Sequence, residues 1–265
     1  MALYMLSVKP ISRTQRSSVE AAAYRSGQKL YDEREDVIYD FTRKKGIIHT
    51  EILLPENAPP EFSNRETLWN AVEHTEKRRD SRTAREIVLA LPRELTLETS
   101  KSLVRKFVSV CFIPLGMCAD ICIHLGLDKN TKHNEAERKK ILPHNPHAHI
   151  MLTDRPVRDE GFCGKKNPDW NSKQYLNQWR ECWANLQNEV FIRKGLEIRV
   201  SHESYKKRGI AREPTKHLGP VVMAMERRNI NTKLGNENRA IEARNKEQHQ
   251  LQLEQKRARA FDLSR

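Results

Sequence analysis

The chain has 265 residues, of which 37% are hydrophobic and 31% charged, enough for one large cored domain diluted by a long polar segment. Its 48 Lys and Arg against 35 Asp and Glu leave a formal charge of +13, which points to a polyanionic partner, nucleic acid ahead of a membrane surface. Five cysteines with no C-x-x-C pair argue against a disulfide scaffold and for a reducing cytoplasm, the first ten residues lack a signal-peptide pattern, and no apolar run reaches the ~20 residues that span a bilayer.

In chain order, Ala2 to Val8 reads as a strand, and Ser17 and Ser18 offer N-caps for a helix through VEAAAYRSGQ. Tyr31 to Phe41 and Ile47 to Leu54 read as the arms of a hairpin turning at Lys44, Lys45 and Gly46, with Pro55 ending it. Leu68, Trp69 and Val72 give a helical stripe between Arg65 and Arg79. Ala84 to Leu91 (AREIVLAL) is apolar enough for a central strand and stops at Pro92. Thr96 opens another helix, with Leu103, Phe107 and Val110 at helical spacing. Ala119 to Leu125 and His147 to Thr153 are strands, and the charged segment Asp128 to Pro143 between them is too polar for a core. Asn171 to Gly195 is an amphipathic helix striped by Trp179, Trp183, Leu186 and Val190. Apolar periodicity stops near residues 200–220, and Asn236 to Arg259 reads as an exposed charged helix or tail. Strands and helices mix without β-α-β alternation, which predicts an α+β fold: an antiparallel β-sheet covered by helices on one face, followed by a C-terminal helical segment.

The densest chemical signal is Pro146-His147-Ala148-His149 at the start of an apolar strand. Residues i and i+2 of a strand share a face, so His147 and His149 present two imidazoles side by side. His124, inside the apolar ADICIHL segment, completes a three-histidine site for a divalent metal if the two strands are neighbours. The competing reading is polar side chains on a solvated sheet face; His144 lies in the preceding loop and is a spare. Tyr24 follows three alanines in SSVEAAAYRSG and stands clear of bulky neighbours. A phenol is a weak nucleophile at neutral pH, and metal and cations nearby would activate it. Glu86 in the AREI strand either orients a metal-bound histidine or accepts the tyrosine proton, or else is a charge facing solvent.

The N-terminal Ser-x-x-x-Ala-Ala-Tyr-Arg helix, AREIVLALPREL, the histidine of DICIHLG, NPHAHIMLTDR and the YKKRGI…EPTKHLGP segment, in this order, resemble the MobA/MobL class of plasmid mobilisation relaxases. These are histidine-hydrophobe-histidine nucleases, and the likeness runs over about residues 2–228. It implies an antiparallel sheet palm, Tyr24 as nucleophile, and His124, His147 and His149 as ligands of a divalent ion, with Mg²⁺ or Mn²⁺ expected and Ni²⁺ or Zn²⁺ as alternatives. It implies single-strand nicking at a plasmid origin of transfer through a 5′-phosphotyrosine. Implied partners are single-stranded origin DNA, accessory mobilisation proteins and a coupling protein, with no membrane insertion. The expected division is a relaxase domain over 1–228 and a charged tail or the start of a further region over 229–265. The segment between His124 and NPHAH is longer than in the shortest members, which would add a basic flap.

Arg78, Arg79, Arg82 and Arg85 cluster before the central strand, and Lys206, Lys207, Arg208, Arg212 and Lys216 flank a glycine-containing loop. Of these, Arg85, Lys206, Lys207, Arg208 and Lys216 are expected to contact DNA phosphates, with Trp170, Trp179 and Tyr205 as base-stacking candidates and Trp179 better placed in a core. A rolling-circle replication initiator and a non-catalytic nucleic-acid-binding protein on the same scaffold are the alternatives.

Overall fold

A computed structural model describes residues 4–125 and 145–262. The chain divides into two compact units, Met1–His202 and Glu203–Arg265. The expected basic flap, the segment Asp128 to Pro143 and His144 lie outside the described residues.

In the first unit, β1 (Leu6–Ser12) leads to α1 (Ser18–Ser26), the short strands β2 (Lys29–Asp32) and β3 (Val37–Asp40), and β4 (Ile47–Leu53). Helix α2 (Arg65–Thr75), β5 (Arg82–Ala90), α3 (Leu97–Cys111), β6 (Ala119–His124) and β7 (His147–Thr153) follow. The two-residue strands β8 (Val157–Arg158) and β9 (Gly161–Phe162) precede α4 (Lys173–Arg193). Five strands form one antiparallel sheet in the order β1-β5-β7-β6-β4.

Directly opposed residues of an antiparallel ladder share a face. The rows Ile87–Ile150–Ile121 and Leu89–Ala148–Ile123 therefore line one face of the three central strands. They are buried with Leu103, Val104, Phe107 and Val108 of α3 and Trp179, Trp183, Val190 and Phe191 of α4. Val110, expected on that stripe, is exposed, and Val108 takes its place. The rows Glu86–Met151–Asp120, Val88–His149–Cys122 and Ala90–His147–His124 line the opposite face.

Helices cover both faces rather than the one expected. A second core joins Ala21, Ala22 and Ala23 of α1 and Leu68, Trp69 and Val72 of α2 to Ile11, Ala84 and Met151 of the sheet. The alanine run allows this close seating, because a methyl group lets the helix backbone approach the strands. The Ser17 hydroxyl caps α1 by accepting from Val19 N at 3.0 Å, while Glu73 of α2 accepts from Ser18 N and its hydroxyl at 2.8 and 2.6 Å. Gly27 ends α1 at φ +66°, a left-handed conformation that favours glycine, and the Ile47 side chain fills the space beside it.

The expected hairpin over 31–54 is replaced by two separate pairings. β2 pairs with β3, and β4 pairs with β6 at the edge of the main sheet. The reversal occurs over residues 33–36 because Asp32 Oδ1 accepts from both Arg34 N and Glu35 N at 3.0 Å, and Asp36 takes φ +54°. The first strand runs from Leu6 to Ser12, and Ala2 and Leu3 of the expected strand lie outside the described residues.

The second unit holds α5 (Gly219–Arg227) and α6 (Lys233–Asp262). Glu226 accepts from Thr232 and Arg239, Glu213 pairs with Arg244, and Ile241 is buried. No helix among the described residues is long and apolar enough to cross a membrane.

Candidate metal and nucleophile site

The ladder brings His124, His147 and His149 together. His124 and His147 are directly opposed across β6 and β7, and His149 is two residues along the same face. Their ring centroids lie 4.8 to 5.4 Å apart, and each offers a ligand atom within 4.8 Å of the others. Each ring faces one oxygen acceptor. His124 Nε2 donates to the Arg25 carbonyl at 2.7 Å, His147 Nδ1 to the Asn145 carbonyl at 2.7 Å, and His149 Nδ1 to Glu86 Oε1 at 2.6 Å. A carbonyl can only accept, so His124 Nε2 and His147 Nδ1 carry the protons in those bonds, and in all three rings the second nitrogen is the one left for a metal. Burial, opposed by the hydrogen bond to the Arg25 carbonyl, pushes the His124 imidazole down to about 3; burial also lowers His147. Two imidazoles held towards the neutral form, and a third oriented by Glu86, present three ring nitrogens to one point, so the donor set fits the implied metal.

Glu86 is buried rather than turned to solvent. Its Oε1 also accepts from Arg25 Nε at 2.6 Å. Burial alone would raise its carboxyl pKa; hydrogen bonds from His149 and Arg25 outweigh that and hold it below the usual carboxylate range. Arg25 thus touches the cluster twice, through its guanidinium on Glu86 and its carbonyl on His124. It was not singled out in the sequence, although it stands beside Tyr24 in the AAYR motif.

Tyr24 lies on the last turn of α1, one residue before Arg25, and is 46% exposed. Lys44 Nζ lies 3.6 Å from its ring centroid, and Phe41 meets it edge-on at 5.3 Å. Tyr31, by contrast, donates its hydroxyl to Asp36 at 2.7 Å, which raises its pKa. On the same face as the histidines, Asp120 is buried and accepts from Arg65 Nε and Nη2 at 2.7 and 2.8 Å and from Trp69 Nε1 at 2.9 Å.

Arg85 is not placed to contact DNA. It alternates with Glu86 and so points to the opposite face, where it is buried, donates to Asp154 Oδ1 at 2.9 and 2.7 Å, and lies against Trp170 and Trp179. Those two tryptophans are buried as well, which removes them as stacking candidates. In the second unit Lys206, Lys207, Arg208 and Lys216 are exposed; Lys207 pairs with Glu203 and Lys216 with Glu237.

The chain is 37% identical over 247 residues to the mobilization protein MobL of Acidithiobacillus ferridurans, an alignment covering 86% of this chain and 65% of that protein. It is 35% identical over 259 residues to the conjugal transfer protein TraA of Rhizobium radiobacter, covering 86% of this chain and 22% of that one. The chain therefore spans less than two thirds of the length of either relative. Among solved structures it matches one determined for the "Molecular Basis of Vancomycin Resistance Transfer in Staphylococcus aureus", with TM-score 0.66, 33% identity, and coverage of 77% of this chain and 100% of that one. The model of the MobA/MobL family matches residues 16–228, a span that contains Tyr24, Glu86 and all three histidines. The chain belongs to the MobA/MobL family.

Proposed function

We propose that the protein is a DNA relaxase that nicks one strand at a plasmid origin of transfer, stays attached to it, and later rejoins it. The observation that carries the reading is the tie between nucleophile and histidines: Arg25, next to Tyr24, bonds both His124 and the Glu86 that holds His149. A divalent cation held by His124, His147 and His149, Mg²⁺ or Mn²⁺ first and Ni²⁺ or Zn²⁺ next, would supply Lewis-acid charge beside the scissile phosphate.

The chain's own groups do the rest. The Tyr24 phenolic oxygen attacks phosphorus and the bond from phosphorus to the 3′ oxygen breaks. The phenol proton passes to solvent, which reaches the half-exposed ring, and the departing 3′ oxygen takes a proton from solvent. The phosphodiester is kept as a 5′-phosphotyrosine, so a returning 3′-hydroxyl can reverse the step. Glu86 acts as a positioning residue for His149, since its engaged and strongly acidic carboxylate is a poor base. Lys206, Lys207, Arg208 and Lys216 supply phosphate contacts to single-stranded DNA. Residues 1–228 form the relaxase domain and 229–265 an appendage. Accessory mobilisation proteins, a coupling protein and the bacterial cytoplasm complete the reading.

The test is a denaturing gel with origin oligonucleotide. Wild type should form a covalent adduct mapping to Tyr24, while Tyr24→Phe should form none yet bind the oligonucleotide within about threefold, because phosphate contacts carry the affinity. An adduct persisting in Tyr24→Phe rejects the reading.

A further inference from the structure

The segment between β3 and β4 is built against the end of α1. Phe41 N donates to the Gln28 carbonyl at 3.2 Å, and Lys44 N closes a turn onto the Phe41 carbonyl at 2.9 Å. Asp40 Oδ1 braces that turn by accepting from Thr42 N at 3.0 Å and from its hydroxyl at 2.7 Å. Ile47 packs where Gly27 has no side chain. The segment delivers two side chains to one ring: Phe41 lies edge-on to Tyr24, and the Lys44 ammonium sits over it at 3.6 Å. Lys44 Nζ also donates to the Tyr24 carbonyl at 2.7 Å, so the same group holds the residue by its backbone and by its ring.

We propose that Lys44 is a positioning residue for Tyr24, clamping its ring and favouring negative charge on its phenolic oxygen during strand cleavage. The inference rests on the reading of Tyr24 as nucleophile. A cation over a neutral ring gains a modest attraction from the ring quadrupole. The same cation near an ionising phenol gains a charge–charge interaction, so its effect grows as the oxygen becomes anionic. Burial, then the Arg25 guanidinium, lowers the Lys44 pKa, which means the ammonium gives up solvation to stand there. The charged and titratable groups that share its field are Arg25 on α1, Glu86 on β5, Cys122 and His124 on β6, and His147 on β7. Phe41 adds a wall that limits ring rotation, leaving one orientation for attack.

Lys44→Met keeps the aliphatic stem over the ring and removes the charge. Lys44→Gln keeps a donor for the Tyr24 carbonyl and also removes the charge. In single-turnover nicking at saturating oligonucleotide, both should slow by at least ~10-fold, with the oligonucleotide Kd within ~2-fold of wild type. Lys44→Arg should recover most of the rate, since it restores a cation. A wild-type rate in either neutral variant overturns the proposal. So does a loss of affinity that matches the loss of rate and comes with a shallower salt dependence, the signature of a phosphate contact. An adduct on Tyr24 formed at full rate by Lys44→Met overturns the role of Lys44 alone. An adduct mapping to another residue in wild type overturns the nucleophile reading instead.

Discussion

The two faces of the three central strands differ in what burial asks of them. On one, the rows Ile87–Ile150–Ile121 and Leu89–Ala148–Ile123 are wholly buried and carbon-only, and any side chain that fills the volume serves. On the other, the rows Glu86–Met151–Asp120 and Ala90–His147–His124 place ionisable groups in the same ladder, one residue out of phase. There each buried polar group has a named partner: Asp120 has Arg65 and Trp69, Glu86 has Arg25 and His149, His124 has the Arg25 carbonyl. Period-two alternation lets one set of backbone bonds serve both, apolar rows that stabilise by area and polar rows that must be satisfied bond by bond.

The comparison can be broken most forcefully at Asp120. Asp120→Ala strands the Arg65 guanidinium and the Trp69 Nε1 in the interior and should cost about 3–5 kcal/mol in urea unfolding. A loss under about 1 kcal/mol would mean that the polar face is as forgiving as the apolar one. Next in size, Ile150→Ala should cost about 2–4 kcal/mol through an unfilled cavity. Its affinity for Mn²⁺ should stay at the wild-type level by calorimetry; a matching loss of metal affinity would show that the faces are not separable. Glu86→Gln sharpens the contrast, for it should leave the fold in place and lower metal affinity about 10–100-fold by loosening His149 and Arg25. Unchanged affinity would remove Glu86 from the site. The smallest effect is expected from deleting residues 236–265. Along α6 Ile241 is buried while Leu251 and Leu253 face solvent, so oligonucleotide nicking by the shortened protein should stay within about twofold of the full chain. Its loss in a folded truncation would place the appendage in the catalytic cycle.

Much of the polar face was legible because it obeys alternation. His147 and His149 share a face by spacing, but His124 could join them only if its strand lay beside theirs, and that adjacency comes from the β6–β7 pairing rather than from any local pattern. Parity also held the answer for Arg85: next to Glu86 in a strand, it had to point the other way. What hid its role was Asp154, an acceptor 69 positions away that no local pattern connects to it. Arg25 went unread for a related reason. Half of its work is done by a main-chain carbonyl, which every residue possesses, and the other half reaches across 61 residues. The expected hairpin fails because Tyr31 to Phe41 reads as one strand beside Ile47 to Leu54, while the side chain of Asp32, which braces the reversal inside that first stretch, carries an ordinary acidic label.

The pairing of His124 with His147 has a consequence for how this protein can change over generations. Twenty-two positions intervene along the chain, yet the separation of the two rings is set across the ladder, where the strands hold them in direct opposition. Strand pairing sets that opposition, while Asn145, just ahead of β7, must stay in place because its carbonyl accepts from the His147 ring. Selection on the spacing of these two ligands therefore acts on the strand register and not on the number of residues that separate them in the chain.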